Sequence, residues 1–95
     1  MSDPITEEER AEAIERGWVL ADEGTALEKR FEFRNFVEAF GFMTRSALFA
    51  EKWNHHPDWA NSYKTVDVKL STHDTGGLTA LDAKLARKMD QLAKG

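Results

Sequence analysis

Ninety-five residues allow one modest core, and 41% hydrophobic with 32% charged residues suit a packed domain facing water. The absence of cysteine excludes a disulfide framework and thiolate chemistry, and no apolar run is long enough for a membrane span. A net charge of −4 with both signs interspersed argues against a nucleic-acid partner, because such binders carry a basic face.

The chain opens on an acidic, polar lead-in over residues 1–6 that is neither a signal nor a transit peptide, so the expected compartment is the cytoplasm. Thr6-Glu7-Glu8-Glu9 fits a capping box, with Thr6 as N-cap and Glu9 at the third helical position. A helix from about Glu7 to Arg16 follows, with a weak apolar face around Ala11 and Ile14, and Gly17 is a natural stop. Trp18-Val19-Leu20 reads as a short strand and Ala21 to Thr25 as a turn. Ala26 to Phe33 then alternates, with Leu27, Phe31 and Phe33 on one face and Glu28, Arg30 and Glu32 on the other. That period of two marks a half-buried strand and predicts a hairpin with the preceding run. Lys29 interrupts the apolar face and is expected near a strand end.

Asn35 is a candidate N-cap for the longest helix, about Phe36 to Trp53. Phe36, Phe40, Met43, Ala47 and Leu48 form its apolar stripe, widened by Val37 and Thr44. So wide a band predicts burial on two sides. Gly41 costs about 1 kcal/mol inside a helix relative to alanine, which close packing would explain.

The helix runs into Glu51-Lys52-Trp53-Asn54-His55-His56-Pro57-Asp58-Trp59. Proline disfavours the helical conformation for the residue before it, so a fixed bend is expected at His56, where helix gives way to strand. Ala60-Asn61-Ser62 reads as a polar connector. Tyr63 to Thr72 is the clearest strand, with Val66, Val68 and Leu70 alternating with Asp67, Lys69 and Ser71. The third histidine, His73, ends that strand, and Thr75-Gly76-Gly77 is a turn. Thr79-Ala80-Leu81-Asp82 resembles a capping box with Asp82 in place of glutamate; Leu81, Leu85, Met89 and Leu92 make the apolar face of the last helix. The order helix, strand, strand, helix, strand, strand, helix is not a run of βαβ units. It predicts an α+β fold: a four-stranded antiparallel sheet with three helices packed on one face, in a single domain over residues 1–95.

The histidines with their neighbouring carboxylates support two chemistries. For a metal, His55, His56 and His73 would give nitrogen ligands and Asp58, Asp74 or Asp82 oxygen. Neighbouring strand positions face opposite ways, and no His-Glu-x-x-His helix is present, so the expectation is no metal. The alternative is metal-free acid–base catalysis, for which imidazole suits neutral pH. Trp18, Trp53 or Trp59 would supply an apolar wall for a flat heterocycle. No glycine-rich phosphate loop or Gly-x-Ser-x-Gly elbow is present, which leaves chemistry that needs only proton transfers. Asp82 also has a purely structural reading, as the cap of the last helix through the Thr79 backbone.

The sequence resembles the pterin-4a-carbinolamine dehydratase family from about Gly17 to Asp90. The resemblance rests on Gly17-Trp18, Phe31-Glu32-Phe33, the run Phe36 to Arg45, Ala50-Glu51-Lys52, and His55-His56-Pro57-Asp58-Trp59. It continues through Asn61, Tyr63, Val66, Leu70-Ser71-Thr72-His73-Asp74 and Gly77-Leu78-Thr79 to Asp82 and Leu85-Ala86. It implies dehydration of 4a-hydroxytetrahydropterin to quinonoid dihydropterin, recycling the pterin of aromatic amino acid hydroxylases without metal or organic cofactor. His55 and His73 would then be the acid–base pair, and His56 would bind or orient the pterin. Glu51 and Asp82 would be acidic positions beside the pocket, Asp82 supporting His73 or contacting the pterin, with Pro57 and Trp59 shaping its wall. The family also implies a homodimer or homotetramer, built through strands and the long helix. Two other readings go with it: a dimerisation or regulatory module, and the same chemistry on a different, molybdopterin-related pterin.

Overall fold

The computed structural model describes residues 3–94; Met1 and Ser2 of the polar lead-in and the terminal Gly95 lie outside the described residues. The elements are α1 (Glu7–Glu15), β1 (Val19–Ala21), a 3₁₀ turn (Asp22–Gly24), β2 (Ala26–Glu32), α2 (Phe36–Lys52), β3 (Asp58–Ser62), β4 (Thr65–Leu70) and α3 (Ala80–Lys94). The four strands form one antiparallel sheet in the order β1-β2-β4-β3. This is the α+β class expected from the alternation.

Leu27 of β2 pairs with Leu70 of β4, and Phe31 with Val66, so both apolar sets face the helices. Leu27, Leu70 and Val66 are fully buried there. The opposite positions form the outer face, where Arg30 meets its strand partner Asp67 at 2.8 Å. Period-two alternation thus becomes one greasy and one charged side.

The capping box of α1 is present: Glu9 N–H donates to Thr6 Oγ1 at 3.0 Å, and Thr6 N–H to Glu9 Oε1 at 3.0 Å. Gly17 follows with φ of +108°, in the region that favours glycine. The buried residue of α1 is Ala13, whereas Ala11 and Ile14 are exposed, which corrects the expected face. The described part of the lead-in, from Asp3 on, is docked rather than loose. Pro4 bridges Thr79, Ile5 N–H donates to Leu78 O at 3.1 Å, and Ala80 N–H donates to Asp3 O at 2.8 Å. The last of these satisfies one of the orphan donors at the start of α3.

Three further expectations change. First, Lys29 sits mid-strand on the inner face of β2, paired with Val68. It is tolerated because its ammonium donates to Asp90 Oδ1 and Arg16 O, each at 2.7 Å. Second, Ala60-Asn61-Ser62 is strand, not connector: Trp59 pairs with Val68 and Ser62 with Thr65. An edge strand can be polar, since its outer side needs no apolar cover. Third, the buried face of α2 is Ala39, Phe42, Ser46 and Ala50, while Phe36, Val37, Phe40 and Leu48 are exposed. Apolar residues occupy almost every side of this helix, so spacing alone cannot select the inward one. Gly41 has only the Arg45 guanidinium of its own helix near its would-be Cβ, at 3.1 Å, so packing against another element does not explain it.

Candidate active site

The site begins where α2 stops. Trp53 N–H still donates to Phe49 O, but Asn54 takes φ of 52°, a left-handed conformation that asparagine tolerates. His55 N–H then returns to Ala50 O at 2.9 Å. This termination, followed by Pro57, turns the two histidines to different sides. His55 is buried and faces α3; His56 is exposed.

His55 Nε2 lies 2.6 Å from Asp82 Oδ1. Asp82 is itself fully buried in the first turn of α3. Its second oxygen, Oδ2, accepts from Thr79 N–H at 2.9 Å and from the Thr72 hydroxyl at 2.7 Å. The carboxylate therefore serves two purposes. It caps α3 through the Thr79 backbone, as the spacing suggested, and it holds the imidazole. A buried carboxylate with these partners has its lone pairs well used, which offsets the cost of desolvation.

His56 Nε2 lies 2.9 Å from Glu51 Oε1, one turn back at the end of α2. This pair is open to water and is held by geometry far less tightly. His73 follows β4 in the turn that leads to α3 and is exposed. It lines a cleft of about 200 Å³ with Ser71, Thr72, Gly76, Gly77 and Asp58. The Lys69–Asp22 pair closes one side of that cleft at 2.5 Å. The Asp22 carboxylate, as hydrogen-bond acceptor, holds the Lys69 ammonium above its usual range. A larger hollow of about 540 Å³ lies on the outer sheet face, but no histidine lines it. The smaller cleft has His73 on its wall, and Thr72, which also lines it, donates to Asp82.

Glu51, His55, His56 and Asp82 are thus brought into two hydrogen-bonded pairs, and His73 is joined to one of them through its neighbour Thr72. Pro57 is half-buried at the bend, and Trp59 is half-buried against the core. Trp18 is placed elsewhere: it is 1% exposed, with its ring 5.8 Å from Phe31 and its indole N–H donating to Asp90 at 2.9 Å. It is a core residue, and the pocket-wall expectation for it is corrected. No cluster of three or more histidine, cysteine or acidic side chains suited to a metal occurs among the described residues. The role of Thr72 was not read from sequence. The signal was its place beside His73 in a block that carries the family resemblance, which marks the position but not its contact with Asp82.

The sequence model of the family described as Pterin 4 alpha carbinolamine dehydratase matches residues 3–92. A protein of Roseobacter denitrificans, provisionally named pterin-4-alpha-carbinolamine dehydratase, is 56% identical over 97 residues, covering 98% of this chain and 99% of that one. One of Sinorhizobium fredii with the same provisional name is 63% identical over 87 residues, covering 90% and 83%. Among solved structures, the transcriptional coactivator/pterin dehydratase from Brucella melitensis superposes with a TM-score of 0.85 at 47% identity, covering 96% of this chain and 99% of that one. A pterin dehydratase-like protein identified as a RuBisCO assembly factor in the alpha-carboxysome shares the fold, with a TM-score of 0.70 at 22% identity over 80% and 88% of the two chains. With the family model matched from Asp3 to Leu92 and relatives this similar along their length, the chain belongs to the pterin-4a-carbinolamine dehydratase family.

Proposed function

We propose that this chain dehydrates 4a-hydroxytetrahydropterin to quinonoid dihydropterin and water by histidine acid–base catalysis. The observation that carries the proposal is the buried His55–Asp82 pair, linked by Thr72 to the turn that bears His73. In the elimination, the ring N–H gives up its proton and its electrons form the new C=N bond. The C–O bond at C4a breaks, and the hydroxyl leaves as water after taking a proton. One group must accept and one must donate, and His55 and His73 are the pair assigned to this. His56, steadied by Glu51, binds or orients the pterin, with Pro57 and Trp59 at the wall. No step calls for a metal or organic cofactor. The reaction would serve pterin recycling beside an aromatic amino acid hydroxylase, in the cytoplasm.

The reading includes self-association. Val37 is 77% exposed, Leu48 67% and Phe40 55%, all on the outward face of α2. Apolar side chains so grouped favour a homodimer or homotetramer that covers them.

The test is absorbance-monitored formation of quinonoid dihydropterin from freshly generated 4a-hydroxytetrahydropterin, against the spontaneous rate. The wild-type chain should accelerate it. His55→Ala and His73→Ala should each lose about 10²–10⁴-fold, the usual worth of a general acid or base. A folded wild type no faster than the spontaneous reaction would overturn the proposal.

A further inference from the structure

The hydrogen bonds behind His55 run in one direction. Leu81 N–H donates to Thr79 Oγ1 at 3.3 Å. Thr79 Oγ1 lies 2.9 Å from Thr72 Oγ1, and Thr72 Oγ1 lies 2.7 Å from Asp82 Oδ2. An ionised carboxylate only accepts, and a hydroxyl has one proton to give. Thr72 must therefore spend its proton on Asp82, so Thr79 donates to Thr72. At the far end Asp82 Oδ1 accepts from His55 Nε2, at 2.6 Å. The ring proton of a neutral His55 is thereby assigned to Nε2, which leaves Nδ1 with the basic lone pair.

We propose that Thr72 is a positioning residue: its hydroxyl holds the Asp82 carboxylate in the orientation that keeps His55 in the Nε2–H form with Nδ1 as the base. This rests on the dehydratase reading for its catalytic meaning, but the hydrogen-bond relay stands in the free protein. Three features support it. Asp82 Oδ2 has two donors, and one of them, Thr79 N–H, belongs to the same helical turn. Thr72 is the Oδ2 donor that comes from outside the start of α3, so it fixes that oxygen relative to the segment following β4. Thr72 also precedes His73 directly and lines the same cleft. One residue thus ties both members of the assigned acid–base pair to a common frame.

Without the Thr72 hydroxyl, Oδ2 keeps only the backbone donor and the carboxylate is freed to rotate. Thr79 then loses its acceptor as well. Thr72→Val preserves the branched shape and removes the hydroxyl, and Thr72→Ser keeps the hydroxyl. The probe is the imidazole of His55, observed by long-range ¹H–¹⁵N correlation in the free protein at a pH where the ring is neutral. The wild type should show the Nε2–H form alone. Thr72→Val should show a mixture of the two tautomers, and Thr72→Ser should return to the single form. In the dehydration assay, kcat of Thr72→Val should fall on the order of 10–100-fold with KM little changed, as for loss of a hydrogen bond to a charged group. Thr72→Ser should regain most of that rate.

A wild-type His55 in the Nδ1–H form overturns the proposal with no variant needed, even if Thr72→Val fails to fold. A Thr72→Val ring that stays purely Nε2–H overturns it too. If the wild type does not accelerate dehydration yet its tautomer depends on Thr72, the relay stands and the dehydratase reading falls. If the wild type is active and Thr72→Val matches it in rate, the positioning role falls and the dehydratase reading remains.

Discussion

Two buried aspartates on α3 organise the helical side of this protein. Asp82 and Asp90 are two turns apart on its inward face, and each gathers donors from other elements. Asp82 serves the candidate site. Asp90 takes hydrogen bonds from Arg16, Trp18 and Lys29 at 2.7, 2.9 and 2.7 Å. It thereby ties the end of α1, the start of the sheet and mid-β2 to the last helix. Breaking a buried ion pair from one side leaves the other charge uncompensated, a loss of roughly 3–5 kcal/mol. Asp90→Ala should therefore lower unfolding stability by about 3 kcal/mol, toward the low end because Lys29 and Arg16 are partly exposed. Urea unfolding checks this: a shift of the midpoint by less than the equivalent of about 1 kcal/mol would mean that water replaces the carboxylate without loss. Asp90 was not legible in the sequence, because an acidic residue on an amphipathic helix ordinarily marks the wet side.

At the level of elements, α2 shows how a helix can mislead. Its inward residues are mostly small or polar, Ala39, Ser46 and Ala50, with Phe42 the one large side chain among them. Phe42 lies within 4.8 Å of Phe31 and 4.9 Å of Phe33 between ring centres, so a single aromatic anchors α2 to the sheet. Ser46 Oγ is buried without a hydrogen-bond partner among the described residues. An unsatisfied buried hydroxyl costs about 1–3 kcal/mol, and alanine is the better helix former by roughly half a kcal/mol. Ser46→Ala should thus raise stability by about 1 kcal/mol, seen as a higher thermal midpoint. A lower midpoint would show that the hydroxyl has a partner, such as an ordered water, and that α2 packs differently from this account. The capping residues were more reliable guides than the stripe. Thr6 with Glu9, Asn35 and Asp82 all take the expected cap bonds, because a cap is a local contact between residues three positions apart.

For the whole molecule, the question is what covers the outer face of α2. A lone domain of this size gains little by keeping Val37, Phe40 and Leu48 in water. With self-association as proposed, Phe40→Glu combined with Leu48→Glu should convert the assembly to monomer while leaving the fold intact, since neither side chain belongs to the core cluster. Sedimentation velocity with circular dichroism reads both. A wild type that is already monomeric at tens of micromolar would remove the oligomer from the account. The candidate cleft beside His73 is small for a bicyclic ligand at about 200 Å³, below the usual several hundred for a small-molecule site.

Local regularities carried much of this protein. Period-two alternation placed β2 and β4, the cap residues placed the starts of the helices, and the His55-His56-Pro57 block placed the bend, since each depends on neighbours within a few positions. Tertiary structure alone decided the rest. It set which side of α2 faces inward, that Trp18 is core, that Lys29 is acceptable mid-strand, and that Asp82 joins His55 to Thr72. Each of these depends on a partner far along the chain, 27 positions away for Asp82 with His55 and 61 for Lys29 with Asp90. The free energy of a buried charge or an apolar face depends on what lies against it, and that neighbour exists only once the chain has folded.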